Sequence, residues 1–293
     1  MHMACRGGET NRKIARANQP LPTLANPLPI LISAILFVAS TIFADDSIKL
    51  QQAWTSASRT LPDEAMAQFK EIPPTSPQAR EATYGQAMML LAVQPVTRGN
   101  IDHSVQLFQS VINANSSDDL GITAAYFLGR IEQLYRFEPD PAKAITIYEN
   151  LFHNHPAHPV AQRAFVKLIL LKLYSQIPEA ERAKDFATFE SDGAKLNDHD
   201  AVRDFHLAMA QACAKFGYSE EKRLAHLLAA DAAGVVKDDT KANLLVSIAE
   251  VARKLHRNDL ALQYYHRFLA ECPRDYRTYT VQQKIAATEQ QAP

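Results

Sequence analysis

An all-α fold, an α-α superhelix of about six stacked helix pairs preceded by an N-terminal signal segment, is what the 293-residue sequence predicts. Three observations carry that expectation. Apolar residues recur at helical spacing, and the strict alternation of a half-buried strand is missing. Small residues at 65, 104, 144, 183, 225 and 261 mark a near-constant step of 36 to 42 residues, the signature of stacked two-helix modules. Nine glycines in the whole chain are too few for a β-sandwich or a doubly wound nucleotide-binding sheet, which need glycine at tight turns. A 47% hydrophobic composition excludes a mostly disordered chain, and a formal net charge of −1 excludes a module built around a basic nucleic-acid face.

The first 44 residues read as an address. Arg6, Arg12, Lys13 and Arg16 precede an uncharged run from Pro27 to Ala44, and Asp45-Asp46 follows it. A charged lead, a short apolar core and a small residue before acidic ones make the pattern of a signal peptide, with cleavage after Ala44 or Ser40. The apolar stretch falls short of the roughly 20 residues that span a bilayer, so an uncleaved anchor is the second reading. Cys5 precedes the apolar run, so no lipid-modifiable cysteine ends it. Without residues 1–44 the chain keeps 27 basic and 31 acidic residues, a net charge of −4. The pattern predicts an exported chain.

Residues 45–293 read as one repeat domain, with its clearest units over about 47–77, 86–117, 122–156 and 242–273. In the first, Ala53 stands twelve residues before Ala65, and Phe69, Ile72 and Pro77 follow. In the second, Ala92 stands twelve before Ser104, followed by Phe108 and Val111. The third has Gly129 on its first helix and Ala144, Tyr148, Leu151 and Pro156 on its second, after a connection about three residues longer. Asp140-Pro141 starts that second helix, a cap followed by proline in the first turn. Units around Ala183 and Ala225 keep the helical period without the aromatic. The last unit is the clearest. Leu244, Leu245, Ile248, Val251, Ala252 and Leu255 form one helical face, and Asn258 or Asp259 can cap the next helix. Ala261, Tyr264, Tyr265, Phe268 and Leu269 continue the period until Pro273 stops it. Ala249, twelve before Ala261, lets the two helices approach, and Tyr265 and Phe268 fill the space beside them. The polar stretch from Asp275 reads as a closing helix.

Ala249, Ala261, Tyr265, Phe268 and Pro273 fall at the offsets of a tetratricopeptide repeat, which this unit resembles. The alanine-rich helices are similar to those of exported bacterial tetratricopeptide proteins of outer-membrane assembly or envelope constriction. The resemblance implies a TPR-like solenoid whose packing rests on Ala65, Phe69, Ala92, Phe108, Gly129, Ala144, Tyr148, Ala249, Ala261, Tyr265 and Phe268. It also implies a concave wall lined by the first helix of each pair, here Met89, Tyr126, Arg130, Val246, Glu250 and Arg253. The partner it implies is a protein or peptide segment, and the location, with the leader, is the periplasm or cell envelope of a bacterium. The lysine-and-asparagine clamp for a carboxyl terminus is not matched: Asn243 fits one offset, but Val246 and Glu250 stand at others.

Catalytic signatures are missing. The sequence has no phosphate-cradling glycine loop, no G-x-S-x-G and no C-x-x-C. Asp45-Asp46, Asp118-Asp119 and Asp238-Asp239 stand where helices start, which capping and the helix dipole explain. His153, His155 and His158 could converge on a metal, but Pro156 and Pro159 splay a segment that lacks a completing carboxylate or thiolate. Cys213 and Cys272 could pair in an oxidising compartment; the simpler reading makes each a small apolar residue on a helix face. The expectation is a non-enzymatic scaffold or adaptor with no cofactor, no metal and no nucleic-acid partner, touching a membrane only through its leader. The alternatives are the helical body of a glycan-processing envelope enzyme and an exported small-molecule or metal-binding protein.

Overall fold

The computed structural model describes residues 45–290 other than Gln176 and Val236; the signal segment expected over 1–44 lies outside the described residues. The chain divides into residues 1–45 and 46–293, and the helical stack lies in the second unit. Among the described residues every regular element is a helix. Six pairs follow one another: α1 (residues 45–58) with α2 (Pro62–Lys70), α3 (Ala79–Ala92) with α4 (Arg98–Ala114), and α5 (Asp119–Arg130) with α6 (Pro141–Asn154). Then come α7 (Pro159–Leu173) with α8 (Glu179–Gly193), α9 (His199–Phe216) with α10 (Glu220–Ala232), and α11 (Asp238–Lys254) with α12 (Asn258–Glu271). α13 (Thr278–Glu289) packs on α12 and closes the stack.

Short polar residues start five of the helices by accepting a free N–H: Thr97 from Asn100, Asp118 from Gly121, Asp140 from Lys143, Asp198 from Ala201 and Ser219 from Lys222. α12 differs from the sequence expectation. Asn258 and Asp259 lie inside its first turn, the capping position falls on Arg257, and no side chain accepts there. Asp259 still contributes through the helix dipole.

Small residues set how closely the helices approach. A Cβ on Gly129 would overlap the Tyr148 ring, and one on Gly85 or Gly193 would overlap Phe69 or Phe205. Ala53, Ala65, Ala144, Ala249 and Ala261 are fully buried, as are Phe69, Phe108, Tyr148, Tyr265 and Phe268. Three small residues fall elsewhere. Ala92 is exposed at the end of α3; Ser104 instead packs on Ala87, donating its hydroxyl to that carbonyl at 2.8 Å. The five-residue connection and the earlier start of α4 lengthen the spacing beyond twelve. Ala183 and Ala225 are exposed too, because Phe186 and Phe189 set the buried face of α8, and Leu224 and Leu227 that of α10.

Over pairs two to five, each first helix touches the next: α3 with α5, α5 with α7, α7 with α9. No comparable contact joins successive second helices among the described residues. The first helices therefore form the shorter, inner wall of a curved stack. α8 packs loosely on both α7 and α9, and α7 meets α9 directly. The longer third connection follows a π-helical turn, Ile131–Tyr135, in which Arg136 N–H reaches the Ile131 carbonyl at 3.1 Å. The buried Glu132 carboxylate in that turn accepts from Arg136 at 3.0 and 3.1 Å and from Lys143 at 2.8 Å.

Candidate functional site

The inner wall carries the candidate site, and the sequence-derived residues divide on it. Met89 is buried in the core cluster of Leu50, Ala53, Ala65 and Phe69 and presents nothing to a ligand. Its helix face meets α1 and α2 because Gly85, one turn earlier, lets the Phe69 ring in. Tyr126 and Arg130 lie half-buried on α5. Tyr126 tilts against Tyr148 with ring centroids 6.1 Å apart. The π turn brings the Gln133 amide oxygen to the Tyr148 hydroxyl at 3.0 Å and to Arg130 at 3.4 Å.

Val246, Glu250 and Arg253 lie on α11, in a different core cluster from Tyr126. Val246 is half-buried against its neighbours. Glu250 is a structural joint: it accepts from the Tyr265 hydroxyl at 2.5 Å, from Lys284 of α13 and from Arg253 at 3.4 Å. Burial would raise its carboxyl, but the bonds from Lys284 and Tyr265 hold it below the ordinary glutamate value. Arg253 remains exposed beside it.

Two cations that the repeat offsets missed complete the wall beside Tyr126. Arg163 and Lys167 stand one turn apart on α7, and α7 packs against α5. Tyr126 lies in the field of both Arg130 and Arg163, and Lys167 in that of Arg130 and of Asp204 on α9. The signal was present as an Arg-x-x-x-Lys spacing; it went unread because this unit lacks the aromatic that anchors the repeat offsets.

The remaining chemistry-bearing groups serve the fold. His158 caps α7, its Nδ1 accepting from Val160 at 3.2 Å, while Nε2 lies 3.1 Å from Asp119. His153 is exposed and His155 half-buried. Among the described residues no group of three or more His, Cys, Asp or Glu is placed to hold a metal. Cys213 is a buried free thiol in the central core, and Cys272 a half-buried free thiol beside the C-terminal core. A cleft of about 460 Å³ opens where α8 stands off, floored by Phe152, Phe165, Leu168 and Phe189.

His206 of α9 and His226 of α10 meet Nδ1 to Nδ1 at 2.9 Å, so one neutral ring donates to the other. Phe205 lies against both rings, and Glu190 stands 3.6 Å from His226 Nε2, with Lys222 nearby. Burial and the neighbouring imidazole push His206 down to about 4, and burial also lowers His226 despite Glu190. The unfolded chain then binds more protons than the folded one between the ordinary histidine value of ~6.5 and about 4, so stability falls as pH falls through that window. The expected loss is about 2 kcal/mol after solvent screening. Melting midpoints between those pH values check it: His206→Gln flattens the decline, and an unchanged slope removes the pair as its cause.

Comparison with known proteins adds the fold. No family model matches the sequence, and no curated protein matches it. Among solved structures, PilF of Pseudomonas aeruginosa superposes with a TM-score of 0.51 at 15% identity, covering 82% of this chain and 97% of that one. PilW, described as a widely conserved type IV pilus biogenesis factor, gives 0.49 at 14% identity over 80% and 97% of the two chains. A tetratricopeptide protein of Thermus thermophilus gives 0.42 at 18% identity over 71% and 98%.

Proposed function

We propose that this chain, which has the tetratricopeptide-repeat fold, is a non-enzymatic scaffold of the bacterial cell envelope that holds a protein segment on its inner wall. The observation that supports it is the contact of successive first helices, among them α5, which carries Tyr126 and Arg130, and α7, which carries Arg163 and Lys167. A preformed helical wall of aromatic and cationic side chains suits a peptide or helix ligand at little ordering cost. Export rests on the leader pattern of residues 1–44. Fold alone sets no function, so the reading stands on this wall.

Affinity capture from envelope and cytoplasmic extracts, followed by mass spectrometry, tests it. The expected result is a specific protein retained from the envelope fraction and lost with the double variant Arg130→Glu, Arg253→Glu. Retention unchanged in that variant, or a partner found only in cytoplasmic extract, overturns it.

A further inference from the structure

We propose that the α5–α7 part of the wall docks an acidic peptide segment, whose aspartate or glutamate side chains reach Arg130, Arg163 and Lys167. This deepens the scaffold reading and rests on it.

The argument starts from charge pairing. Many half-buried cationic side chains of the stack are matched by carboxylates: Arg136 with Glu132, Lys172 with Glu149, Arg267 with Asp231. The α5–α7 wall breaks that pattern. Lys167 is half-buried and has no hydrogen-bond or ion-pair partner among the described residues. Arg130 has no carboxylate partner among them either; its guanidinium reaches the Gln133 amide at 3.4 Å and the Tyr148 hydroxyl, both uncharged. Arg163 reaches Asp200 at 3.8 Å with both side chains about half exposed.

The acids facing this wall are already engaged. Asp200 and Asp204 of α9 both accept from Arg203, at 2.7 and 2.9 Å. Three cations on two touching helices therefore share one long ion pair, Arg163 with Asp200. Holding Lys167 beside Arg130 is unfavourable for both, and burial followed by that repulsion lowers the lysine's pKa. A carboxylate delivered by a partner would relieve the repulsion and gain charge-assisted hydrogen bonds.

The same surface argues for peptide over nucleic acid. Residues 45–293 carry a net charge of −4, so a long polyanion is disfavoured beyond the patch. The half-buried Tyr126 beside the cations offers an apolar body to a side chain interleaved between acids.

Fluorescence anisotropy of the full chain with a labelled Asp/Glu/Leu peptide tests this, against an Asn/Gln/Leu isostere and a thymidine oligonucleotide. The acidic peptide is expected to bind roughly ten-fold or more tightly than its isostere, and more weakly as salt rises. The double variant Arg163→Gln, Lys167→Gln is expected to lose roughly ten-fold. Removing two exposed cations outside the wall, Lys184→Gln with Arg274→Gln, changes affinity about two-fold or less. Arg130→Gln on the other helix gives an independent loss should the double variant not fold. Equal binding of the two peptides, unchanged affinity in the variants, or preference for the oligonucleotide overturns the proposal. If these fail while an envelope protein is still captured through Arg253, the acidic-segment proposal falls and the scaffold reading stands. If nothing is captured either, both fall.

Discussion

Tyr148→Ala is expected to cost about 4 kcal/mol, in the range of large aromatic truncations in a packed core. The ring is fully buried and fills the space opened by Gly129, where any side chain would overlap it. Its hydroxyl meets the Gln133 amide oxygen at 3.0 Å, so truncation leaves a cavity and removes a partner from the π turn. The midpoint of thermal unfolding should fall by about 10 °C. Stability in a solenoid is carried between neighbouring modules, so the loss should also appear as faster amide exchange in α5 and α6. Tyr148→Phe separates the two contributions: it keeps the ring and should cost only about 1 kcal/mol. Equal costs for the two variants would mean that the hydroxyl, not the ring, holds the pair together.

Gln162→Leu should cost about 3 kcal/mol, although leucine has nearly the same volume. Gln162 is completely buried on α7. Its amide donates to the Pro156 carbonyl at 3.0 Å and to Asn197 Oδ1 at 2.6 Å. Its oxygen accepts from the backbone N–H groups of Asn197 and Asp198, at 3.0 and 2.7 Å. One side chain thus joins the connection before α7 to the connection before α9, and holds Asp198 where it caps α9. Leucine would remove all four bonds and leave the half-buried Asp198 N–H without its acceptor, which costs more than the bond is worth. Gln162→Glu keeps the acceptor and should lie between wild type and Gln162→Leu in chemical denaturation. A leucine variant as stable as wild type would show that water replaces the side chain there.

Part of this could be read from the residues alone because part is periodic. Ala249, Ala261, Tyr265 and Phe268 repeat a local relation between a small residue and the ring that fills it, and local relations survive in a linear chain. The same reasoning failed at Ala92, Ala183 and Ala225. A five-residue connection shifts the register of α4, and in α8 and α10 large residues take over the buried face. Gln162 gave no signal, since three of its four bonds reach residues about 35 positions away. The candidate site was half legible: Tyr126 and Arg130 follow from repeat offsets, Met89 does not lie on the wall, and Arg163 and Lys167 sit in a unit with no aromatic marker.

Helical period and the small-residue step thus fixed, from the residues alone, that helices would form and stack in pairs, since both act within one module. Which cations would stand without carboxylates was settled by packing between modules. Asp200 and Asp204 pair with Arg203 inside α9, and the packing of α7 on α9 leaves Arg163 3.8 Å from Asp200. Charges on neighbouring helices compete for the same partners, and distances across the stack decide that competition.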